Sequence, residues 1–177
     1  YLGLQLLERE KQVFLASPEA QPDLQGQDYI VGRFLKPEAR KDIVEMFDQC
    51  NIKVNAMIDV SDGLSSELFH ISQQSEVGVL IHEEKLPISN EASELALSFG
   101  LDPMVCALNG GEDYELLFTM HPDEYKKLPP TADVRQIGEI TSEDDGRKIK
   151  TRSGKEHDLL AQGWKHIHDQ ELSLIHI

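Results

Sequence analysis

The strongest constraint on this chain lies in Ala56-Met57-Ile58-Asp59-Val60-Ser61-Asp62-Gly63-Leu64. An apolar run beginning at Val54 stops on Asp59, and a second carboxylate follows at Asp62. From Leu64 the apolar residues change period: Leu64, Leu68 and Ile71 fall on one face of a helix. A buried strand therefore runs through a tight acid-lined turn into a helix N-terminus. On spacing alone, Ser61 or Asp62 reads as an ordinary N-cap that needs no ligand. The alternative is a cation site. Mg²⁺ takes oxygen ligands in octahedral geometry, commonly one or two carboxylates completed by water and phosphate oxygens. Asp59 and Asp62 can converge on one such ion or on two neighbours. Ser61 adds a hydroxyl and an N–H where phosphate is favoured. Gly63 permits close approach or a positive φ.

A second loop has comparable potential. Asn109-Gly110-Gly111-Glu112-Asp113-Tyr114-Glu115 pairs two glycines with two acids and then enters an apolar segment. Its backbone can approach a ligand closely. Glu112 or Asp113 can meet a cation or a positively charged ring, although a solvated acidic turn explains the same spacing. No phosphate-binding Gly-Lys-Ser/Thr sequence follows the glycines, and no Gly-x-Gly-x-x-Gly occurs in the chain.

Between these loops the chain alternates. Helices are expected over 1–14, 39–50, 64–74, 89–99 and 122–128, and strands over 54–60, 77–82, 114–120 and 134–140. A hairpin is expected near Ser153-Gly154, and a short element over 158–166. Residues 29–35 form an amphipathic segment of undecided type, and 103–108 are equally undecided. Ser89 has Ala92 three residues on and so lacks a capping box, which leaves the start of that helix open. The expected class is α/β (α+β), a mixed β-sheet packed with helices.

Charge narrows the partners. The 177 residues carry 32 acidic and 17 basic side chains, a formal net charge of −15. That balance disfavours nucleic acid and anionic membrane surfaces, and a phosphorylated substrate then needs a cation or a local basic group. Arg33, Lys36 and Arg40 form one basic cluster, able to receive phosphate but more simply read as a solvated face. The two cysteines, Cys50 and Cys106, lack metal or disulfide spacing and read as buried thiols. No apolar run approaches the ~18 residues of a transmembrane helix and no signal sequence is apparent, so a cytoplasmic protein is expected. Trp164 in Gly163-Trp164-Lys165-His166 can stack on an aromatic ligand or fill a core or lid. His166 and His168 form an isolated H-x-H pair read as chance. The chain starts on Tyr1 within a helical pattern, which suggests that an N-terminal part is missing. The apolar tail after residue 168 reads as either a docking strand or foreign sequence.

Together the two loops resemble thiamine-monophosphate kinase. Asp59-Val60-Ser61-Asp62-Gly63-Leu64 resembles that family's D-x-S-D-G-L motif, and Gly110-Gly111-Glu112-Asp113-Tyr114-Glu115-Leu116 resembles its G-G-E-D-Y-E-L motif. Lys36-Pro37 with Arg40, Ile137-Gly138-Glu139-Ile140 and Gly163-Trp164-Lys165-His166 are similar to further segments in the same order. The resemblance implies a C-terminal domain of the aminoimidazole-ribonucleotide-synthetase type over 1–168, with 169–177 as the tail and the N-terminal ATP-binding domain absent. It implies Mg²⁺-assisted phosphoryl transfer from ATP to thiamine monophosphate, and a homodimer when the N-terminal domain is present. The roles it implies are Asp59 and Asp62 on Mg²⁺, Ser61 on the nucleotide phosphates, Glu112 and Trp164 on the substrate, and Asp113 in support. This piece alone is then expected to be inactive. Alternatives are another ATP-dependent enzyme of the superfamily, such as selenophosphate synthetase, or a non-catalytic ligand-binding module.

Overall fold

The computed structural model describes residues 1–160. Three helices lead: α1 (Leu2–Ala16), α2 (Asp28–Leu35) and α3 (Lys41–Gln49). Strand β1 (Val54–Asp59) then feeds helix α4 (Leu64–Ser75), and β2 (Gly78–His82) follows. Helices α5 (Asn90–Ser98) and α6 (Pro103–Asn109) precede β3 (Leu116–Met120) and the single-turn helix α7 (Pro122–Tyr125). The described chain closes with β4 (Gly138–Thr141), β5 (Arg147–Lys150) and β6 (Glu156–Asp158). The fold is therefore mixed α/β, as the alternation of patterns predicts.

Two sheets form. β1 pairs antiparallel with β3, with Asp59 opposite Leu116. The other sheet has the order β4-β2-β5-β6, in which β2 is antiparallel to β4 and parallel to β5, and β5–β6 is the expected hairpin. β3 shows why a strand with alternating faces can serve two cores. Leu116, Phe118 and Met120 pack with Ile43, Phe47 and Ile52, where Phe47 meets Phe118 edge-on at 5.0 Å between ring centroids. Leu117 turns the other way, into a cluster with Val60, Leu68, Ile71, Val79 and Ile81 beneath α4. A third cluster, around Leu6, Ile30 and Leu95, joins α1, α2 and α5. No described helix is long and apolar enough to cross a membrane.

Several local expectations change. Pro103 opens α6 because proline suits a first helical turn, and Asp102 caps that turn by accepting from the Met104 N–H at 2.8 Å. Ser89 does cap α5, its Oγ accepting from the Ala92 N–H at 3.1 Å, without the box partner. β3 starts at Leu116 rather than at residue 114, because Tyr114 has φ +54, which no strand accommodates. The segment 134–140 contributes a strand only from Gly138, and α7 stops at Tyr125. Trp164, the H-x-H pair, the tail 169–177 and most of the element expected over 158–166 lie outside the described residues.

Candidate functional site

The acidic turn and the glycine-rich loop form one unit. Beyond the paired strands, the β1–β3 ladder continues into both loops. The Val60 N–H donates to the Glu115 carbonyl at 2.8 Å, and the Tyr114 N–H returns to the Val60 carbonyl at 2.8 Å. The Glu112 N–H then donates to the Ser61 carbonyl at 2.7 Å. Contact this close depends on glycine at two positions. Gly111 has φ +62, and a Cβ there would sit 2.6 Å from the Ser61 carbonyl oxygen. Gly63 has φ +119, and its Cβ would sit 2.9 Å from the Leu108 carbonyl oxygen. Each glycine thus admits the backbone of the opposite loop.

Gly63 is also the residue that caps α4, and it does so without a side-chain hydrogen bond. The expected N-cap by Ser61 or Asp62 is not formed. Instead a residue of the first helical turn, Glu67, reaches back. Its Oε1 accepts from the Asp62 N–H at 3.1 Å and lies 3.4 Å from the Ser61 hydroxyl. Glu67 is 2% exposed. Its signal in the sequence is a charged side chain on the apolar Leu64–Leu68–Ile71 face, which periodicity alone does not explain.

On the other loop, two side-chain-bearing residues sit in the left-handed region: Glu112 at φ +61 and Tyr114 at φ +54. Each such conformation costs about 1 kcal/mol or more and persists only when its surroundings enforce it. Here the backbone bonds to Ser61 and Val60 supply that enforcement. The result brings side chains together. The Tyr114 hydroxyl donates to Glu112 Oε2 at 3.2 Å. The Tyr114 phenol is pushed above its ordinary value, first by that hydrogen bond, then by the Glu112 charge, with burial and the charges of Asp59 and Asp62 adding to it. Asp59, Asp62 and Glu112 are all exposed, and the charges of all three act on one phenol. Neither aspartate carboxylate has a hydrogen bond or ion pair among the described residues. Three of the four described candidates, Asp59, Asp62 and Glu112, thus share one locality. Ser61 lies in the same turn, with its hydroxyl directed at Glu67.

The basic side chains do not offset this acidity. Arg33 bonds Glu115 Oε1 at 2.7 Å and the Asp113 carbonyl at 3.1 Å. Arg40 binds Glu115, Asp42 and Asp133, and its guanidinium is held above the ordinary arginine range, first by the Asp42 hydrogen bond. Arg40 is therefore an enclosed tie between α3, the loop and β3, rather than a solvated face. Asp113 is exposed yet lines a concave wall. Displaced water there raises its carboxyl, against the pull of the Tyr1 amino group and Arg33. That wall belongs to a cavity of about 1000 Å³ lined by Tyr29, Arg33, Gly111, Glu112 and Asp113 among others. Glu112 is the link between cavity and acidic turn.

The donor set suits a hard cation. Two unpartnered carboxylates and a third nearby are what Mg²⁺ uses together with phosphate oxygens and water. Among the described residues, no group of three or more His, Cys, Asp or Glu side chains is arranged to hold a metal by itself. Water and phosphate oxygens would complete the shell of a cation held here.

Comparison with known proteins follows the same lines. Residues 10–150 match the family model for AIR synthase related protein, C-terminal domain. A thiamine-monophosphate kinase of Aquifex aeolicus is 36% identical over 168 residues, covering 93% of this chain and 47% of that protein. One from Pyrococcus abyssi is 40% identical over 113 residues, covering 64% of this chain and 34% of that protein. The chain thus spans about half or less of the length of the curated relatives it matches. The solved structure of AaThiL complexed with AMPPCP and TMP superposes with a TM-score of 0.70 at 34% identity, covering 94% of this chain and 47% of that one. The hydrogenase maturation protein HypE in complex with ATP has a TM-score of 0.52 at 19% identity, covering 63% of this chain and 36% of its own, and shows the shared fold alone.

Two outcomes test the geometry of the paired loops. Gly111→Ala should destabilise the chain by about 2 kcal/mol or more, since strain and a backbone clash combine. Urea unfolding measures this, and a loss below about 0.5 kcal/mol would mean that the loops do not approach as described. The chain has four tyrosines, so site-resolved NMR is needed to follow Tyr114. Its phenol should titrate above about 10 and move back down in Glu112→Gln. A Tyr114 midpoint insensitive to that substitution would separate the two side chains.

Proposed function

The chain belongs to the AIR synthase related protein, C-terminal domain family, and on that premise we propose that it forms one wall of a Mg²⁺–ATP site for phosphorylating thiamine monophosphate to thiamine diphosphate. The observation that carries this proposal is the backbone pairing of the Asp59–Asp62 turn with the Glu112–Tyr114 loop, with no basic side chain bonded to either aspartate among the described residues. Such an acidic turn in a chain of net charge −15 repels nucleotide until a cation intervenes. Its pairing with the Gly110-Gly111-Glu112-Asp113-Tyr114 loop, and the named likeness to thiamine-monophosphate kinases, support the choice of acceptor.

Asp59 and Asp62 would hold Mg²⁺, and Ser61 would contact the nucleotide phosphates. Bound Mg²⁺ supplies charge neutralisation at the transferring phosphoryl group. Glu112, at the rim of the cavity, presents a carboxylate to the cationic thiazolium of the acceptor, and Asp113 supports the loop. Trp164 supplies an aromatic face to the substrate. The attacking atom is a phosphate oxygen that is already anionic, so no protein base has to remove a proton. The chain's work is orientation and charge balance. The rest of the site, and the contacts of a homodimer, come from a complementary N-terminal half. Residues 1–168 act as the C-terminal domain, and the setting is the cytoplasm.

The test is a coupled assay on the enzyme carrying this chain with its complementary half. ATP and thiamine monophosphate should give thiamine diphosphate and ADP. Asp62→Asn should lower kcat by about 100-fold or more in a folded protein, the scale of removing a positioned electrostatic group. Preference for a different acceptor, or an unchanged rate at limiting Mg²⁺, would contradict the proposal.

A further inference from the structure

The first turn of α4 presents an arrangement that the roles above do not use. Helix N-termini attract anions, because their N–H groups lack intrahelical partners and the dipole adds positive potential. Taken alone, the turn before α4 therefore looks like a phosphate seat. In the structure the protein's own carboxylate stands at the donors just ahead of that seat, the Asp62 N–H and the Ser61 hydroxyl. Glu67 is 2% exposed, and its Oε1 accepts from the Asp62 N–H at 3.1 Å while lying 3.4 Å from Ser61 Oγ. The Glu67 N–H closes the turn by donating to the Gly63 carbonyl at 3.2 Å. No cationic side chain pairs with Glu67 among the described residues. Removing water from a carboxylate without a counter-charge is costly, so its retention on an apolar helix face calls for an explanation.

We propose that Glu67 is a positioning residue that holds the Ser61–Asp62 turn in the form in which the Asp62 carboxylate meets a divalent cation. This rests on the cation role proposed for Asp59 and Asp62. Glu67 acts in two ways. It accepts from the Asp62 N–H and stands against the Ser61 hydroxyl, and so fixes the Asp62 backbone with its side chain exposed. Its carboxylate behind the turn also deepens the potential felt by a cation in front. The Ser61 hydroxyl then reaches a nucleotide phosphate by exchanging its Glu67 contact.

The charge and the contact can be separated. Glu67→Gln keeps an acceptor for the Asp62 N–H and removes the charge. Glu67→Asp keeps the charge and shortens the reach by one methylene. The probe is Mn²⁺ alone, titrated into the 177-residue chain and followed by electron paramagnetic resonance, with thermal unfolding recorded in parallel. Glu67→Gln should weaken Mn²⁺ binding by about threefold to tenfold while the protein stays folded, and Glu67→Asp should fall between it and the parent chain. Inorganic phosphate titrated into Glu67→Gln should bind more tightly than to the parent chain, because the donors are less firmly held. If Asp62→Asn abolishes Mn²⁺ binding but Glu67→Gln leaves both affinities unchanged, Glu67 only closes the helix turn and the inference fails while the cation role of Asp62 stands. If Mn²⁺ binds the parent chain and Asp62→Asn equally, or neither, the cation role itself fails and this inference falls with it.

Discussion

The structure around the site depends on backbone-to-backbone contact between two loops far apart in sequence. Three hydrogen bonds, Val60 to Glu115, Tyr114 to Val60 and Glu112 to Ser61, carry the β1–β3 ladder past the last paired residues. They hold only because Gly63 and Gly111 present no side chain where the opposite loop passes. A ladder extended this way constrains the loop, whose backbone turns left-handed at Glu112 and Tyr114. Strain at those residues is local, whereas the bonds that enforce it belong to the sheet. The acidic side chains are therefore positioned by rigid strands, even though they stand on loops.

Charge separates into two compartments on either side of the glycine-rich loop. On one side, Glu115 takes both Arg33 and Arg40, and Arg40 also binds Asp42 and Asp133. This network is partly enclosed and anchors β3 to α3. On the other side, Asp59, Asp62 and Glu112 gather about Tyr114. The arginines are committed to structural carboxylates and are not free to receive phosphate. In the proposed site, charge neutralisation falls to a cation, and Glu67 holds the turn that presents Asp62 to it.

Much of this was legible in the residues. The change of period at Leu64 located the strand–turn–helix, and the paired glycines before two acids located the second loop. Their joint resemblance to one family pointed to the fold and to the same acidic residues. What stayed hidden depended on distance in sequence. No local pattern says that Glu112 bonds Ser61, or that Glu115 rather than solvent receives Arg40. Ser61 and Asp62 have the chemistry of an N-cap, yet the positive φ at Gly63 places the helix start one residue later. A single acid such as Glu67 on an apolar face leaves no periodic signature. The Asp102-Pro103 start signal of α6 stands before only seven helical residues, too few to show a period.

The central claim is that the two loops present one cation site between them. Paramagnetic broadening by substoichiometric Mn²⁺, read residue by residue in an amide NMR spectrum of this chain, tests it most directly. The account predicts that amides of residues 59–63 and 111–114 broaden first and together, and that Asp62→Asn removes the effect from both loops at once. Broadening confined to one loop, or centred on acidic residues elsewhere such as Glu143, Asp144 and Asp145, would contradict it.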